Sequence, residues 1–315
     1  MKLLQEINYE KIKVKGKLYL CNSNNGFNFP YTLFIPDCIS DFTSLIVEGA
    51  NTGKSANSIE EGINDVIDDV MSRRIITCNN ETCFPILTPC FPRLYTEEDG
   101  GIYTHMLSSQ ALNYNKYGLE RIDIQLVNMI NDAKKELLDL GITCDDKVIV
   151  DGFSASAKFV NRFALLHPEI VKLVIAGACS GTGIIPLREL NGEKLLYPIG
   201  CGNIDITDEQ LEQFKQIKQF YYMGSLDPEN NDPLGIKEDG KLISESSITM
   251  EEATQLYKYV GKKMIPDRWN TIQNIYSKLG VNAIFKTYEG VGHTPVAATE
   301  EIKALLLAEQ NTKKL

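Results

Sequence analysis

The chain has 315 residues, a net charge of −10 and a pI near 5.0. Hydrophobic residues make up 43% and charged residues 23%, a globular composition in which a domain of this length buries roughly three quarters of its unfolded surface. The acidic balance argues against nucleic acid or an anionic membrane as main partner, and no stretch approaches the roughly 18 apolar residues of a membrane span.

The opening MKLLQEINYEKIKVKG is basic and broken, with no apolar run of signal length, so a cytoplasmic, reducing setting is expected. Eight cysteines, at 21, 38, 78, 83, 90, 144, 179 and 201, form no CxxC pair and have no histidine at ligand spacing. They are expected to be mostly free thiols, several of them beside apolar runs where cysteine behaves as a small hydrophobe. No metal or organic cofactor is expected.

Short β-branched runs alternate with amphipathic helices along the chain, the pattern of a mostly parallel sheet covered on both faces. KLYLC and YTLFIP flank the turn-rich NSNNGFN and read as an antiparallel hairpin. TSLIVEG is a buried strand, after which Ser58 and Glu61 form a capping box and Ile59, Ile63, Val66, Ile67 and Val70 line one helical face. PILTPCF is a further strand. Ile122, Leu126, Met129, Ile130, Ala133 and Leu137 repeat at helical spacing, and Gly141 supplies the stop. KVIVDG is a continuous apolar strand, Ala155 to His167 a helix ended by Pro168. VKLVIAG, QFYYMG and NAIFKTYEG are three more strands, and Glu300 to Glu309 closes the chain as a helix.

The whole of 1–315 reads as a single α/β domain. Two stretches, 181–216 and 228–268, fit the alternation poorly, being rich in Gly, Pro, Asn, Asp and charge, with short helical pieces such as Asp208 to Lys218. Insertions of this kind sit at the carboxyl ends of sheet strands, where they build a lid or pocket.

The sharpest local signal is VIVDGFSASAKFVNRF. A buried strand runs into Gly152-Phe153-Ser154-Ala155-Ser156 and a helix starts at once. A nucleophile on such a turn needs small neighbours two before and two after, and the helix N-terminus favours negative charge beside it.

Here the chain resembles the α/β-hydrolase superfamily, whose elbow is G-x-S-x-G; Ser156 replaces the last glycine. The resemblance implies a central, mostly parallel sheet of about eight strands flanked by helices, with lid or cap insertions. It also implies the order nucleophile, acid, histidine. Ser154 then is the nucleophile, Asp227 of QFYYMGSLD the acid at a strand end, and His293 of NAIFKTYEGVGHTP the base in a Gly-rich loop. Asp232, five residues beyond Asp227, is the alternative acid. Of the other histidines, His167 reads as a structural helix end and His105 as a loop residue near the pocket.

The oxyanion hole implied by the resemblance combines the Ala155 N–H with one from VEGANTG, where Glu48-Gly49 takes the place of the family's frequent His-Gly. Ala50 and Asn51 are the candidates for that second donor, with Thr52 a third. The same loop, Gly49 to Ser55, imitates a Walker A motif but has three residues between its glycines where four are required, which removes an N–H from the phosphate nest.

The expected function is hydrolysis of a small-molecule carboxylic ester through an acyl-enzyme on Ser154. Two alternatives stand beside it: a serine peptidase or other acyl hydrolase of the same fold, and a non-catalytic binding module of that fold. The aromatic-rich loop 91–117 is expected to join the insertions in forming the pocket.

Overall fold

The computed structural model describes residues 1–10, 13–24, 26–227, 232, 234–245 and 247–311. Among them, nine strands build the central sheet: β1 (Lys2–Tyr9), β2 (Val14–Cys21), β3 (Tyr31–Pro36), β4 (Ile46–Glu48), β5 (Ile86–Pro89), β6 (Val148–Phe153), β7 (Val171–Gly177), β8 (Lys218–Gly224) and β9 (Ala283–Tyr288). Their order is β1-β2-β3-β5-β4-β6-β7-β8-β9. The first three strands and the β3–β5 pair are antiparallel; every pair from β5 to β9 is parallel. The expected antiparallel hairpin is β2–β3, and the sheet has one strand more than the eight expected.

That extra strand is β1. It lies at the sheet's edge and buries only Ile7 of its eight residues, so it carries none of the alternation by which a half-buried strand is recognised. At the centre the pattern is the reverse. Successive residues of β6 point to opposite faces, with Val148 and Val150 in one core cluster and Ile149 in the other.

Helices cover both faces. The larger cluster contains α4 (Ile122–Asp139) and α5 (Ala155–Leu166); the smaller contains α2 (Arg74–Cys78, after α1 at Ile59–Asp69) and α9 (Thr299–Asn311). Helix α4 buries all six of its expected apolar positions, and Gly141 ends it at φ +83° with its N–H on the Leu138 carbonyl. At α1 Ser58 accepts from the Glu61 N–H, while the Glu61 carboxylate reaches the Asn57 N–H rather than that of Ser58.

The two stretches that fit the alternation poorly hold short regular pieces, the expected helix from Asp208 among them. Within 181–216, Glu189–Leu190 pairs with Glu193–Lys194, and α6 (Asp208–Gln216) starts with a capping box. Within 228–268, positions 228–231, 233 and 246 lie outside the described residues; α7 (Met250–Tyr259) follows a Thr249–Glu252 capping box. Helix α8 (Trp269–Lys278) then buries Trp269, Ile272 and Tyr276. The short α3 (Ser109–Asn113) lies in the 91–117 loop.

Cysteine chemistry departs from expectation at one pair. Cys38 and Cys83 form a disulfide, with Cα atoms 5.7 Å apart across 45 residues of sequence; the other six are free thiols. The pairing of Phe34 with Ile86 across β3 and β5 brings the two cysteine loops together, which sequence spacing does not reveal. Among the described residues no helix is long and apolar enough to cross a membrane.

Candidate active site

The turn between β6 and α5 places Ser154 in a conformation that L-residues avoid, φ +62° and ψ −116°. Its N–H donates to the Gly177 carbonyl at the end of β7, 2.8 Å away, which ties the turn to the sheet. A Cβ on Gly152 would lie 2.4 Å from the Ser156 carbonyl oxygen and 2.8 Å from the Ala157 nitrogen, so only glycine fits there. Ser156 has its own use in the position where a glycine was expected. Its hydroxyl accepts from the Phe153 N–H at 2.9 Å and donates to the Phe153 carbonyl at 3.0 Å, stapling the first turn of the helix to the end of the strand.

Asp227 and His293 meet beyond the ends of β8 and β9. The Nδ1 of His293 lies 2.9 and 3.0 Å from the two Asp227 carboxylate oxygens. A carboxylate only accepts, so Nδ1 carries the proton and Nε2 of the neutral ring keeps its lone pair. Backbone bonds lock the two loops together: Ser225 N–H to the Tyr288 carbonyl, Leu226 N–H to that of Val291, and Gly290 N–H to the Ser225 hydroxyl. The Asp227 side chain is buried while that of His293 is 37% exposed. The imidazole packs on the ring of Phe153, centroids 4.7 Å apart, and Phe153 immediately precedes Ser154. Among the described residues no hydrogen bond joins the Ser154 hydroxyl to His293. Such bonds are often long in ligand-free sites and tighten around substrate.

Asp232 lies in a different environment. It accepts a short charged hydrogen bond from Arg268, a fully buried guanidinium, and a second bond from the Leu234 N–H at 3.0 Å. Of the two aspartates, only Asp227 faces the imidazole.

The loop after β4 approaches the elbow closely. The Asn51 side-chain amide donates to the Phe153 carbonyl at 3.0 Å, and Arg73 holds the Asn51 carbonyl at 2.7 Å. Among the described residues the backbone N–H groups of Ala50, Asn51 and Ala155 donate to no other residue, the last because it opens a helix. Thr52 follows, its hydroxyl donating to the Lys54 carbonyl. Lys54 pairs with Asp65, and α1 begins only at Ile59, so the Walker-like segment does not open a helix onto a phosphate site.

Beneath this loop lies a charge cluster that the sequence reading missed. Glu48, which ends β4, and Asp151, near the end of β6 before the elbow, are both buried, and Arg74 donates to both Asp151 oxygens at 2.5 Å. Those two acids in LIVEG and VIVDG were the available signal. Burial first, then the Asp151 charge, holds the Glu48 carboxyl well above the usual carboxylate range. One turn into α5, burial pushes the Lys158 ammonium down to about 8, against the pull of Asp232.

The other two histidines are structural. His105 is buried with Nε2 3.0 Å from the Phe91 carbonyl, and burial pushes it down to about 3. His167 ends α5 and bonds Asp123 at 3.0 Å. A cleft of about 630 Å³ runs between the 91–117 loop and the second insertion, lined among others by Ser55, Tyr95, Gln110, Lys237 and Ile243. No cluster of three or more His, Cys, Asp or Glu among the described residues could hold a metal ion.

No protein-family profile matches the chain, and no curated protein matches its sequence. Solved structures do. The chain is similar to poly(aspartic acid) hydrolase-1 from Sphingomonas sp. KT-1, at 16% identity and a TM-score of 0.61 over 94% of this chain and 99% of that one. It is also similar to a poly(3-hydroxybutyrate) depolymerase from Bordetella parapertussis, at 16% identity and a TM-score of 0.58 over 93% of this chain and 88% of that one. At this identity the likeness establishes the fold, which is the α/β-hydrolase fold.

Proposed function

We propose that this chain is a serine hydrolase that cleaves carboxylic esters through an acyl-enzyme on Ser154. The observation that carries the reading is the Asp227–His293 pair, packed against the residue preceding a serine held at φ +62°. His293 Nε2 takes the Ser154 proton as the oxygen attacks the ester carbonyl, then returns it to the leaving alcohol. Asp227 keeps the imidazole in the tautomer this requires and stabilises the imidazolium. The oxyanion is held by the Ala155 N–H together with that of Ala50 or Asn51. Water, deprotonated by His293, then releases the acid from Ser154.

Exposed Leu226 and Val296, close in sequence to Asp227 and His293, together with the Phe153 ring, give the site an apolar rim suited to an ester's hydrocarbon parts. The polar cleft beside Ser55 is the proposed seat of the rest of the substrate, bordered by residues 237–245 of the second insertion. One structural neighbour is a poly(3-hydroxybutyrate) depolymerase and the other a poly(aspartic acid) hydrolase, so amide substrates belong in the same assay.

The test is hydrolysis of p-nitrophenyl esters from acetate to laurate, and of matched anilides, by the wild type and Ser154→Ala. Ester turnover that vanishes in the folded variant, with Ser154 labelled by a fluorophosphonate, supports the reading. Absence of both turnover and labelling in the wild type makes the chain a binding module of this fold instead.

A further inference from the structure

Glu48 ends β4 and stands in register beside Asp151 of β6. Neighbours in register on parallel strands point to the same side of the sheet, and here both are buried, Glu48 at 4% exposure and Asp151 at 0%. Arg74 of α2 binds both Asp151 oxygens and also donates to the Tyr222 hydroxyl at 2.5 Å. Its neighbour Arg73 also draws on the Glu48 charge, though its own bonds go to Asp69 at 2.5 Å and to the Asn51 carbonyl. The remaining groups facing the cluster bring no charge near neutrality. Burial pushes the Cys78 thiol up to about 11 and holds the Tyr222 and Tyr288 phenols above their ordinary range.

Of these two adjacent buried carboxyls, Asp151 is the one bonded to a guanidinium, while Glu48 feels Arg73 and Arg74 without a bond to either. Ionising both at once is costly, and a single proton between them would remove that cost. Glu48 Oε2 is buried with no hydrogen-bond partner among the described residues, as are the Nε atoms of Arg73 and Arg74.

The location makes this more than a core detail. Glu48 directly precedes Gly49-Ala50-Asn51, and Asp151 lies three residues before Ser154. The Gly49 N–H donates to the Asp151 carbonyl at 2.9 Å. There is little slack between the two loops: a Cβ on Gly49 would come within 2.7 Å of the Ser156 Cβ.

We propose that Glu48 is a positioning residue: with Asp151 it forms a carboxyl pair sharing one proton, pinned by Arg74, which fixes the 50–51 loop against the Ser154 elbow. In alkali the shared O–H bond breaks, hydroxide takes the proton to form water, and two carboxylates remain. Their repulsion moves the loop donor away from the oxyanion position. The kinetic part of this inference rests on the ester-hydrolase reading; the proton-sharing part does not.

The experiment compares wild type, Glu48→Gln and Glu48→Ala. Gln can donate to Asp151 but cannot ionise. The expected result is a kcat about tenfold or more lower in Glu48→Ala with KM within about twofold, since the lost term is oxyanion stabilisation. Glu48→Gln recovers most of that loss at pH 7, and the alkaline fall of the wild-type kcat is absent from it. An identical alkaline fall in wild type and Glu48→Gln, or a loss confined to KM, overturns the proposal.

Melting curves from pH 6 to 9 need no turnover. A folded-state proton held above the unfolded range stabilises at low pH, and that stability is lost as pH rises through the folded value. The melting temperature of Glu48→Gln should thus gain on the wild type by a few degrees across this range. A constant gap overturns the proposal, even in a chain that neither turns over esters nor labels with a fluorophosphonate.

Discussion

Changing Asp227 and Asp232 to asparagine, one at a time, should separate chemistry from stability. Asp227 contacts His293 through both oxygens, and asparagine there presents an N–H where the imidazole needs an acceptor. The wrong tautomer then faces Ser154, which in a serine-protease triad costs about 10⁴ in kcat. Little stability is at risk, because the Asp227 backbone keeps its bond to the Gly224 carbonyl and the loop keeps its links to Tyr288 and Val291. Asp232→Asn does the opposite. It leaves Arg268, which is 0% exposed, without its counterion, and an uncompensated buried charge costs about 3–5 kcal/mol. Unfolding entropy for a chain this long is about 0.66 kcal/mol/K, so the melting temperature should fall by about 5–8 °C. The assay pairs p-nitrophenyl acetate turnover with a thermal melt on each variant. An active Asp227→Asn, or an Asp232→Asn that melts like wild type yet has lost turnover, refutes the assignment of roles.

Three further outcomes are expected. Gly152→Ala forces the elbow open, since the added carbon would meet backbone at 2.4 Å; stability should drop by about 1–3 kcal/mol, and fluorophosphonate labelling should slow sharply, so labelling at the wild-type rate would count against the geometry. Cys38→Ser removes a cross-link spanning 45 residues, worth up to about 4 kcal/mol by chain entropy. It should lower the melting temperature in non-reducing buffer but match the wild type in reductant; an unchanged melt would mean the bond adds nothing. Lys158→Met tests a buried cation. Lys158 has a folded value of about 8, below its unfolded range, so the wild type gains stability as pH rises from there toward about 10. The variant should therefore melt higher than wild type at pH 7 and lose that advantage toward pH 10. An advantage independent of pH would locate the effect in packing rather than charge.

The elbow was legible because its requirements are local. A buried strand, a glycine, a serine flanked by small residues and a helix start all fall within one short run, and each has a steric reason. The long helix α4 was equally plain, since an unbroken apolar stripe and a terminal glycine have one good solution. β1 was not legible: an edge strand with seven of its eight residues outside the core leaves no alternation to find. Helix α7 was masked by polar, turn-prone surroundings, although its capping box was present in the sequence.

Composition, hydrophobic period and turn chemistry by themselves indicated the α/β class and the buried strand–serine–helix turn, while the chain order of Ser154, Asp227 and His293 was what the resemblance implied. The turn and the periods follow from residues near one another in the chain. Tertiary structure alone decided which aspartate faces His293, because 227 and 232 are five residues apart in the chain and the bonds of Ser225 and Leu226 to the 288–291 segment orient Asp227. It alone decided that Cys38 meets Cys83, through the β3–β5 pairing. It also decided that Arg74 reaches across to Asp151 beneath the 50–51 loop, a contact between residues 77 apart in the chain, which no local period records.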